Sequence, residues 1–573
     1  MKISIEWLKE LVDLKVSDDQ LIKLLPLRTV GIKETTPDFI ELDMKGYNRA
    51  DLLSMRGVAY EVAAITNSPV KFTEPDEKDF IWHKQKLELV EVNVEDKKLA
   101  PVYCIAKIEN LKVEQSNETW KHKLFNCGLR PVNNIADVTN LIMLEYGQPL
   151  HAFDAREVKD ETIVVRRAKK SEKIITLDNK TRVLEENDLL ITDPEKPVGI
   201  AGVMGGKNSE ISDSTNTILL EAAIFDPINL RKTAMRLGLP SEASKRFQHG
   251  LTKKRLYQAL DAAIRMYQSL GGKLTALTIV DNYADKKVEV ELSTGETNLL
   301  IGVNIKPKQV EKYLKKLNFS VSSHMSSNNN KTWKVIPPYY RLDITIKEDV
   351  IEEVARMYGY EKIPPQKLQG KQPEKIDQSL FELIYNLKKT LTELGLTEVQ
   401  TYSFYSTQVL ENLGWNKNDN KKKLVKIANP ISSETEYLRE NLWPNLVEVI
   451  AKNLKAGFSD IAIFEIGKIY YVDQDQKVAE KYALSLALLN GTDNPINELS
   501  QIFKKLNEKI DLEINLGENT ARGITKELFH PNRFLSLLYK GKQIGGIAEI
   551  HKRVTDKFDI ESRVAVLEVD YPT

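Results

Sequence analysis

Two groups of residues in this sequence have the types and the spacing that chemistry requires. The first runs from Arg130 to Phe247 and includes the histidine of GQPLHAFD, the glycines of GIAGVMGG and the glutamate of TILLEAAIF. The second is an acidic cluster from Asp343 to Glu353. An imidazole can orient a substrate or a water molecule, and carboxylates on one helix face can bind a divalent cation. The sequence therefore predicts two candidate sites.

In the first group, His151 and a glycine-rich segment could bind a substrate together. His151 has apolar neighbours in the sequence, so its ring is predicted to be semi-buried. Gly202, Gly205 and Gly206 remove side chains over five residues, which would let a substrate approach the backbone N–H groups closely. The alternatives are a structural histidine whose hydrogen bonds are satisfied and a tight turn at the glycines.

Glu221 is a further candidate residue of this group. It follows the apolar run TILL and precedes AAIF, so the sequence places a carboxylate in apolar surroundings. Burial of a carboxylate is unfavourable unless it meets a partner. A ligand hydroxyl could be that partner, and a salt bridge to Arg231 or Arg236 is the alternative. The sequence leaves both open.

The acidic cluster has the spacing of a metal site on a helix. Asp349, Glu352 and Glu353 fall at i, i+3 and i+4, while Asp343 ends the preceding strand and can point to the same place. Four carboxylates repel one another unless a cation or a basic partner intervenes, and ligation by oxygen alone suits Mg²⁺. The alternative is an acidic first turn that the helix dipole favours.

Composition limits the class of protein. The 573 residues are 42% hydrophobic and 29% charged, which excludes a disordered or fibrous chain. Lys plus Arg equals Asp plus Glu at 82 each, so any contact with RNA must be local. Cys104 and Cys127 form neither a disulfide framework nor a metal-ligand pair. The N-terminus lacks signal-peptide features and no apolar run approaches a bilayer span, so we expect a cytoplasmic location without membrane contact.

The elements that must position the two sites follow from apolar periodicity. Alternation predicts strands over Val102–Ile108 and Val399–Phe404, and helical spacing predicts helices over Lys253–Leu270 and Lys347–Tyr358. Ser17 is predicted to be the N-cap of a capping box. The chain therefore alternates strands and helices without a regular repeat, which is typical of an α+β fold.

Four domains are predicted along the chain. They are an N-terminal α+β module over residues 1–75, a large α+β domain over 85–285, a small winged or α+β domain with the acidic cluster over 286–366, and a closing domain over 372–573. A chain of this length exceeds what one hydrophobic core usually supports. Both candidate sites then lie in the two middle domains.

Five separated blocks carry a resemblance to a known family. RPVNNIADVTN, GQPLHAFD, GIAGVMGG, LLEAAIFDP and PSEASKRF, in this order and spacing, resemble the editing domain of the bacterial-type phenylalanine–tRNA ligase beta subunit. The segment RLDITIKEDVIEEVARMYGYEKIPP is similar to the acidic segment of the same family, and NPISSETEYLREN with FEIGKIYY resembles its closing domain. The resemblance implies an α+β multidomain protein with an editing domain, small DNA-binding-like α/β domains and a degenerate class II synthetase antiparallel-sheet domain without an active site.

The resemblance also implies roles for individual residues. Arg130 and His151 would hold the terminal ribose and phosphate of a tRNA, and Glu221 would recognise the hydroxyl of a tyrosyl group. The acidic cluster would bind Mg²⁺ at the contact with an alpha subunit. Its ligands would be Asp343, Asp349, Glu352 and Glu353.

Four further residues would complete the editing pocket. The resemblance implies that Gly205 and Gly206 line it and that Ser241 and Ala243 shape it around the ester. Ser241 stands where the family usually has threonine, so the hydroxyl is kept and the pocket is expected to be slightly roomier.

The function implied is that of an enzyme subunit. With an alpha subunit that binds ATP and phenylalanine, the chain would support the ATP-dependent attachment of phenylalanine to tRNA(Phe). Its own editing site would hydrolyse mischarged tyrosyl-tRNA(Phe). The family implies an alpha2beta2 heterotetramer. The alternatives are a structural subunit with an idle editing site and a free Mg²⁺-dependent hydrolase.

Two family segments are missing from the sequence. The family has an oligonucleotide-binding fold inserted near Lys33 to Asp38 and continues beyond Val569 into an anticodon-binding domain, and from this sequence we expect neither segment. Both segments contact RNA in the family. We therefore expect tRNA to be recognised mainly at its acceptor end or through the partner subunit.

Overall fold

A computed structural model describes the chain except for residues 285–286, 325–330, 368–369, 371–375, 416–423, 492–493, 511, 518–526 and 571–573. The chain divides into two compact units, residues 1–367 and 368–573, each with mixed α and β structure. Within the described part of the chain, no helix is long and apolar enough to cross a membrane.

The first unit begins with a three-stranded sheet and three helices. The strands are β1 (Lys2–Ser4), β2 (Ile32–Thr35) and β3 (Phe39–Leu42), in the order β1-β3-β2, and the helices are α1 (Ile5–Leu11), α2 (Asp18–Arg28) and α3 (Met55–Thr66). The predicted capping box at Ser17 is confirmed, since its side chain and that of Gln20 each accept from the other's backbone N–H. Around Lys33 to Asp38 the chain forms a short β2–β3 hairpin. A hydrogen bond from the Thr36 N–H to the Phe39 carbonyl closes its turn.

The next part of the first unit contains the residues of the first candidate site. Its strands are β4 (Val92–Val94), β5 (Val102–Glu109), β6 (Leu150–Asp154), β7 (Ile163–Arg167), β8 (Lys173–Ile175), β9 (Thr181–Val183), β10 (Leu189–Thr192), β11 (Pro197–Ile200), β12 (Met204–Gly205), β13 (Ile218–Ile224) and β14 (Lys273–Asp281). Its helices are α4 (Glu118–Asn126), α5 (Asn134–Tyr146), α6 (Pro227–Leu237), α7 (Glu242–Gln248) and α8 (Lys253–Ser269).

Two sheets share one hydrophobic core in this part. An antiparallel sheet has the order β14-β5-β13-β6, and a mixed sheet has the order β12-β11-β10-β7-β4. Strand β13 is buried at every position, and α8 buries an apolar face that includes Leu256, Ala263 and Ile264. A central strand buried on both faces reads as a continuous apolar run, which explains why Glu221 is conspicuous within it.

The boundary predicted between residues 75 and 85 does not separate two hydrophobic cores. Leu124 of α4 and Leu141 and Leu144 of α5 pack into the N-terminal core together with Trp7 of α1. Helices α4 and α5 therefore contribute to the packing of both parts. The boundary predicted at residues 285–286 lies outside the described residues.

The third part of the first unit holds the acidic cluster. Its strands are β15 (Val290–Ser293), β16 (Ser320–His324) and β17 (Thr332–Ile336), in the antiparallel order β15-β17-β16, and its helices are α9 (Thr294–Ile301), α10 (Pro307–Lys316) and α11 (Lys347–Tyr358). The helix predicted over Lys347–Tyr358 is confirmed. Its inward residues Val350, Ile351 and Val354 pack on the same core as Trp333.

The second unit is built on a seven-stranded sheet. The strands of the unit are β18 (Thr397–Glu398), β19 (Phe404–Tyr405), β20 (Tyr437–Leu438), β21 (Ile461–Val472), β22 (Val478–Leu489), β23 (Ile514–Gly517), β24 (Phe529–Tyr539), β25 (Lys542–Ile550) and β26 (Ala565–Asp570). Strands β19 and β20 form a separate two-stranded sheet. Its helices are α12 (Ser379–Glu393), α13 (Thr407–Asn412), α14 (Trp443–Lys455), α15 (Pro495–Ile510) and α16 (Lys552–Thr555). The order is β18-β21-β22-β26-β25-β24-β23, antiparallel except for β18 on β21.

The strand predicted over Val399–Phe404 is wrong. The chain leaves the sheet after β18. The Val399 N–H donates the last backbone hydrogen bond of this segment to the sheet, to the Phe464 carbonyl. Thr401 then donates its hydroxyl to the buried carboxylate of Glu465 at 2.7 Å. This side-chain contact draws the segment away from the strand geometry that apolar alternation indicates.

Candidate functional site

His151 and Glu221 face each other across two neighbouring strands. Strand β6 pairs antiparallel with β13, and His151 is the direct partner of Glu221 in that pairing. Residues directly opposite in an antiparallel pair project from the same face of the sheet. The sheet register therefore brings together two residues that lie 70 positions apart in the sequence.

A cavity of about 80 Å³ lies over this pair of residues. Its walls come from β6, β10, β11, β12, β13 and α7, and they include the apolar side chains of Phe153, Ile191 and Phe247. Small-molecule sites usually enclose several hundred Å³. The cavity therefore suits one part of a ligand, such as a side chain, rather than a whole nucleotide.

Glu221 meets a tyrosine hydroxyl instead of an arginine. The side chain is 7% exposed, and the Tyr103 hydroxyl donates to its Oε2 atom at 2.6 Å. Burial raises the pKa of Glu221 to about 7, and the Tyr103 hydrogen bond acts in the opposite direction. The salt-bridge alternative is wrong, since Arg236 pairs with Asp188 and Arg231 is exposed.

His151 supplies a neutral imidazole to the same cavity. Its Nε2 atom is enclosed and has no hydrogen-bond partner among the described residues. Burial lowers the pKa of His151 to about 4, so the ring is uncharged at neutral pH. The ring contacts Phe153 edge to face, with the centroids 4.5 Å apart. The alternative of a structural histidine with satisfied hydrogen bonds does not describe the Nε2 atom.

Two glycines make room for these groups. A Cβ atom on Gly205 would lie 2.6 Å from Cε1 and 2.7 Å from Nε2 of His151. Gly202 has a φ of +65°, and a Cβ atom there would lie 2.3 Å from Leu230. A larger residue at either position would have to displace the cavity wall, so both glycines are sterically required.

The other predicted pocket residues are placed differently. Ala243 lines the cavity. Ser241 is the N-cap of α7, accepting from the Ser244 N–H at 3.0 Å and donating to the Val203 carbonyl at 2.9 Å. Gly206 donates its N–H to the Val198 carbonyl at 2.7 Å. Ser241 and Gly206 therefore shape the wall through their hydrogen bonds.

Arg130 stands apart from the cavity. Its side chain is exposed and is not among the residues that line the cavity. The neighbouring Pro131 instead lines an open groove between α1 and α4. The structure therefore brings His151, Glu221, Gly205 and Ala243 together and leaves Arg130 outside that set.

Sequence reasoning missed Tyr103. This residue lies on β5, opposite Ala223 and therefore on the same face as Glu221. It is fully buried, and 118 positions separate it from Glu221. The only signal in the sequence was a polar hydroxyl at one position of an apolar strand, which does not identify the partner.

The acidic cluster forms ion pairs with arginines. Glu353 of α11 accepts from Arg341 Nη1 at 2.6 Å and from Arg356 Nε at 2.8 Å. Arg341 also binds Asp343, with Nη2 to Oδ2 at 2.7 Å. Burial would raise the pKa of Glu353, but Arg356 and Arg341 outweigh it and hold the pKa well below its usual range.

This network continues into the N-terminal part of the unit. Arg356 binds the carboxylate of Glu61 on α3 at 2.8 Å and 3.0 Å, and Glu61 also accepts from Arg49 at 2.6 Å. Arg49 in turn binds Asp51. The buried charges are therefore paired along a line that joins α11 to α3.

The four carboxylates expected to bind Mg²⁺ do not converge. Glu352 is exposed whereas Glu353 is buried, since adjacent helix residues point in different directions. Asp349 accepts from the Thr345 N–H at 2.8 Å and the Ile346 N–H at 3.0 Å, as the acidic-first-turn alternative describes. In the described part of the chain, no group of three or more metal-ligating side chains is placed to hold an ion. The arrangement does not fit Mg²⁺.

Three family models match the chain. Residues 99–272 match the B3/4 domain, residues 290–360 the tRNA synthetase B5 domain, and residues 363–571 the phenylalanyl tRNA synthetase beta chain CLM domain. All the residues that line the cavity fall in the first matched segment, and the arginine–carboxylate network includes residues of the second.

Curated relatives are similar over most of the chain. A phenylalanine–tRNA ligase beta subunit of Carboxydothermus hydrogenoformans is 32% identical over 592 residues, covering 98% of this chain and 71% of the relative. The beta subunit of Syntrophus aciditrophicus is 34% identical, covering 91% of this chain and 66% of the relative. The beta subunit of Staphylococcus saprophyticus is 31% identical, covering 91% of this chain and 65% of the relative. The chain thus spans about two thirds of the length of these relatives.

Among solved structures, an N-terminal fragment of the phenylalanyl-tRNA synthetase beta subunit from Pyrococcus horikoshii has a TM-score of 0.34 and 16% identity, and it covers 62% of this chain and 99% of that chain. The domain models define the class as aminoacyl-tRNA synthetase subunits. Within that class, the chain belongs to the phenylalanine–tRNA ligase beta subunit family, as its motifs predicted.

Proposed function

We propose that this chain acts as the beta subunit of a phenylalanine–tRNA ligase and hydrolyses tyrosyl-tRNA(Phe) in the cavity over Glu221 and His151. With an alpha subunit that binds ATP and phenylalanine, it would support the charging of tRNA(Phe) in an alpha2beta2 assembly. Family membership supports the first part of this proposal. The observation that carries the second part is the pairing of a buried carboxylate and an unpartnered imidazole nitrogen in one apolar cavity.

Glu221 would provide the selectivity. Tyrosine differs from phenylalanine by one hydroxyl, and a synthetic pocket made for phenylalanine does not reject it completely. In an apolar cavity, a carboxylate gains a hydrogen bond from a tyrosyl hydroxyl that a phenylalanyl ring does not offer. Leaving such a buried group without a partner is unfavourable. The cavity would therefore favour the tyrosyl ester.

His151 would position the attacking water. A neutral imidazole can accept a hydrogen bond through Nε2, the atom without a partner among the described residues. The water oxygen would add to the ester carbonyl carbon, the bond to the ribose oxygen would break, and that oxygen would take up a proton. An aminoacyl ester is already activated, so correct placement of the water contributes much of the rate.

The remaining predicted residues would act around this centre. Gly205 would keep the approach to His151 open, since any Cβ atom there would clash with the ring. Ala243 would form the wall beside the ester, and Ser241 would hold the start of α7. Arg130, which is exposed, would contact a phosphate of the tRNA outside the cavity. Gly206 would fix the adjoining loop.

The second candidate function is a structural subunit whose cavity is idle. In a cavity that served packing alone, we would not expect a buried glutamate with a pKa near 7 beside an imidazole nitrogen without a partner among the described residues. We therefore favour the hydrolytic role.

The test is deacylation of tyrosyl-tRNA(Phe) by the chain assembled with its alpha subunit. We expect Glu221→Ala and His151→Ala each to lower the rate by one to two orders of magnitude. Glu157→Ala, an exposed carboxylate beside β6, serves as the control and should leave the rate unchanged. If the wild type and all variants were equally inactive, the hydrolytic role would be contradicted and the chain would be a structural subunit with an idle cavity.

A further inference from the structure

The Tyr103–Glu221 contact is a hydrogen bond between a protein phenol and the carboxylate of the candidate site. Tyr103 projects from β5 next to β13, and its ring is fully buried with its centroid 6.4 Å from that of Phe225. The hydroxyl reaches Glu221 Oε2 at 2.6 Å. A short hydrogen bond from a buried, well-packed ring holds its acceptor in one orientation.

We propose that Tyr103 is a positioning residue for the editing site, whose hydroxyl holds Oε2 of Glu221 so that Oε1 is presented to the hydroxyl of the ligand. This inference rests on the proposed function. The group that Tyr103 offers to Glu221 is chemically the same as the group on a tyrosyl ligand. The carboxylate would thus accept two phenolic hydrogen bonds, one from the protein and one from the ligand.

The same contact adjusts the charge of Glu221. A hydrogen bond donated to a carboxylate favours the ionised form. Among the described residues that line the cavity, the titratable group besides Glu221 is His151, which is neutral. Tyr103 contacts Glu221 from the neighbouring strand β5. The charged residues of α7 pair with one another, Lys245 and Arg246 each binding Glu242. Loss of the Tyr103 hydroxyl should therefore shift Glu221 toward its protonated form, which accepts a ligand hydroxyl less well.

A second buried tyrosine provides a matched control. Tyr267 of α8 belongs to the same hydrophobic core, is fully buried, and donates its hydroxyl to the Ile135 carbonyl at 2.9 Å. Tyr103→Phe and Tyr267→Phe each remove one buried hydroxyl and keep the ring. Only the first removes a hydrogen bond to Glu221.

The experiment measures Glu221 directly and through the reaction, in the chain assembled with its alpha subunit. Difference infrared spectra across pH, assigned with Glu221→Gln, give the midpoint of Glu221 protonation. Deacylation of tyrosyl-tRNA(Phe) gives kcat/KM against pH. We expect Tyr103→Phe to raise the midpoint by about one pH unit and to lower kcat/KM at pH 7 by about tenfold, with partial recovery at higher pH. Tyr267→Phe should move neither.

Two results would overturn the inference: an unchanged midpoint in Tyr103→Phe, or an equal shift in Tyr267→Phe. If the wild type does not deacylate tyrosyl-tRNA(Phe), the proposed function fails, and the infrared midpoint still decides whether Tyr103 sets the state of Glu221. Thermal unfolding of both variants shows whether each one is folded.

Discussion

Glu221 and Glu353 are both buried glutamates of the first unit, and they have opposite electrostatic surroundings. Glu221 is 7% exposed and meets the neutral hydroxyl of Tyr103, so burial raises its pKa to about 7. Glu353 is 3% exposed and accepts from two arginines, which hold its pKa well below the usual range. Both residues were expected to act in a site. The difference lies in the partner rather than in the depth of burial.

This difference separates a group that can take part in chemistry from one that maintains the fold. A carboxylate shared by two guanidinium groups has its charge neutralised and its acceptor positions occupied. A carboxylate with a neutral partner in an apolar cavity keeps the capacity to accept from a ligand and to change its protonation near neutral pH. We therefore expect the Glu221 cavity to bind a ligand and the Glu353 network to stabilise the fold.

The largest predicted effect is the loss of Glu353. Glu353→Ala leaves Arg341 and Arg356 without a shared carboxylate in a buried network, so we expect a destabilisation of about 3–5 kcal/mol. Hydrogen exchange of α11 and α3 measures the local stability on both sides of the network.

The control for this variant is the adjacent residue. Glu352 is exposed, so Glu352→Ala should change stability by less than about 0.5 kcal/mol. Equal effects of the two variants, or protection restored to either by added Mg²⁺, would contradict the assignment of Glu353 to the arginine network.

A second prediction concerns pH. Glu221 has a pKa of about 7 in the folded state, whereas the ordinary pKa of a glutamate is 4.5. The folded state therefore keeps a proton that the unfolded state has lost, and the free energy of unfolding should fall as the pH rises from about 4.5 to about 7. The free energy of unfolding should decrease by an amount on the order of 3 kcal/mol over this pH range. Glu221→Gln cannot ionise and should reduce the difference in Tm between pH 5 and pH 8.

The second unit contains a comparable group. Burial raises the pKa of Glu568 to about 7, although it accepts from Asn441 and from the Leu442 and Trp443 N–H groups. Glu568→Gln is therefore the parallel variant, and the two substitutions together should flatten the pH dependence further than either one. An unaltered slope in Glu221→Gln would show that Glu221 is ionised throughout.

A third prediction tests the space around His151. Gly205→Ala places a methyl group 2.6 Å from the ring, so we expect a loss of about 1–3 kcal/mol from overpacking, together with lower deacylation. Gly31→Ala is the control, because its nearest neighbour, Asp43 Cβ, would lie 3.7 Å away. Thermal unfolding compares them, and equal Tm values would indicate that the cavity wall yields easily.

The smallest effect is expected at Ser241. Ser241→Ala removes the N-cap of α7 and should cost about 1 kcal/mol, whereas Ser241→Thr keeps the hydroxyl and should stay within a few tenths of a kcal/mol of the wild type. Chemical denaturation measures both. A large loss of deacylation in Ser241→Thr would give the residue a closer role in the reaction than its position suggests.

Local patterns predicted much of the fold. The Ser17 capping box and the helix over Lys347–Tyr358 depend on neighbours within a few residues and are confirmed. The burial of Glu221 was predicted from its apolar run. The ion pair between Glu353 and Arg356, three residues further along α11, was not predicted. Helical geometry also separates Glu352 from Glu353 by about 100°.

Contacts between distant segments could not be predicted in this way. Tyr103 reaches Glu221 only because β5 and β13 are neighbours in the sheet, and Arg356 reaches Glu61 across 295 positions. No local pattern in a single sequence indicates which strands or helices become neighbours in the fold. The residues of each site were therefore easier to predict than the partners that decide their chemistry.

The most direct test of the central claim is the selectivity of hydrolysis. We predict that the wild-type assembly hydrolyses tyrosyl-tRNA(Phe) with a much higher kcat/KM than phenylalanyl-tRNA(Phe), and that Glu221→Ala lowers this ratio by about 10- to 100-fold while Glu157→Ala leaves it unchanged. A ratio that is the same in wild type and Glu221→Ala would contradict the role of Glu221 as the residue that recognises the hydroxyl.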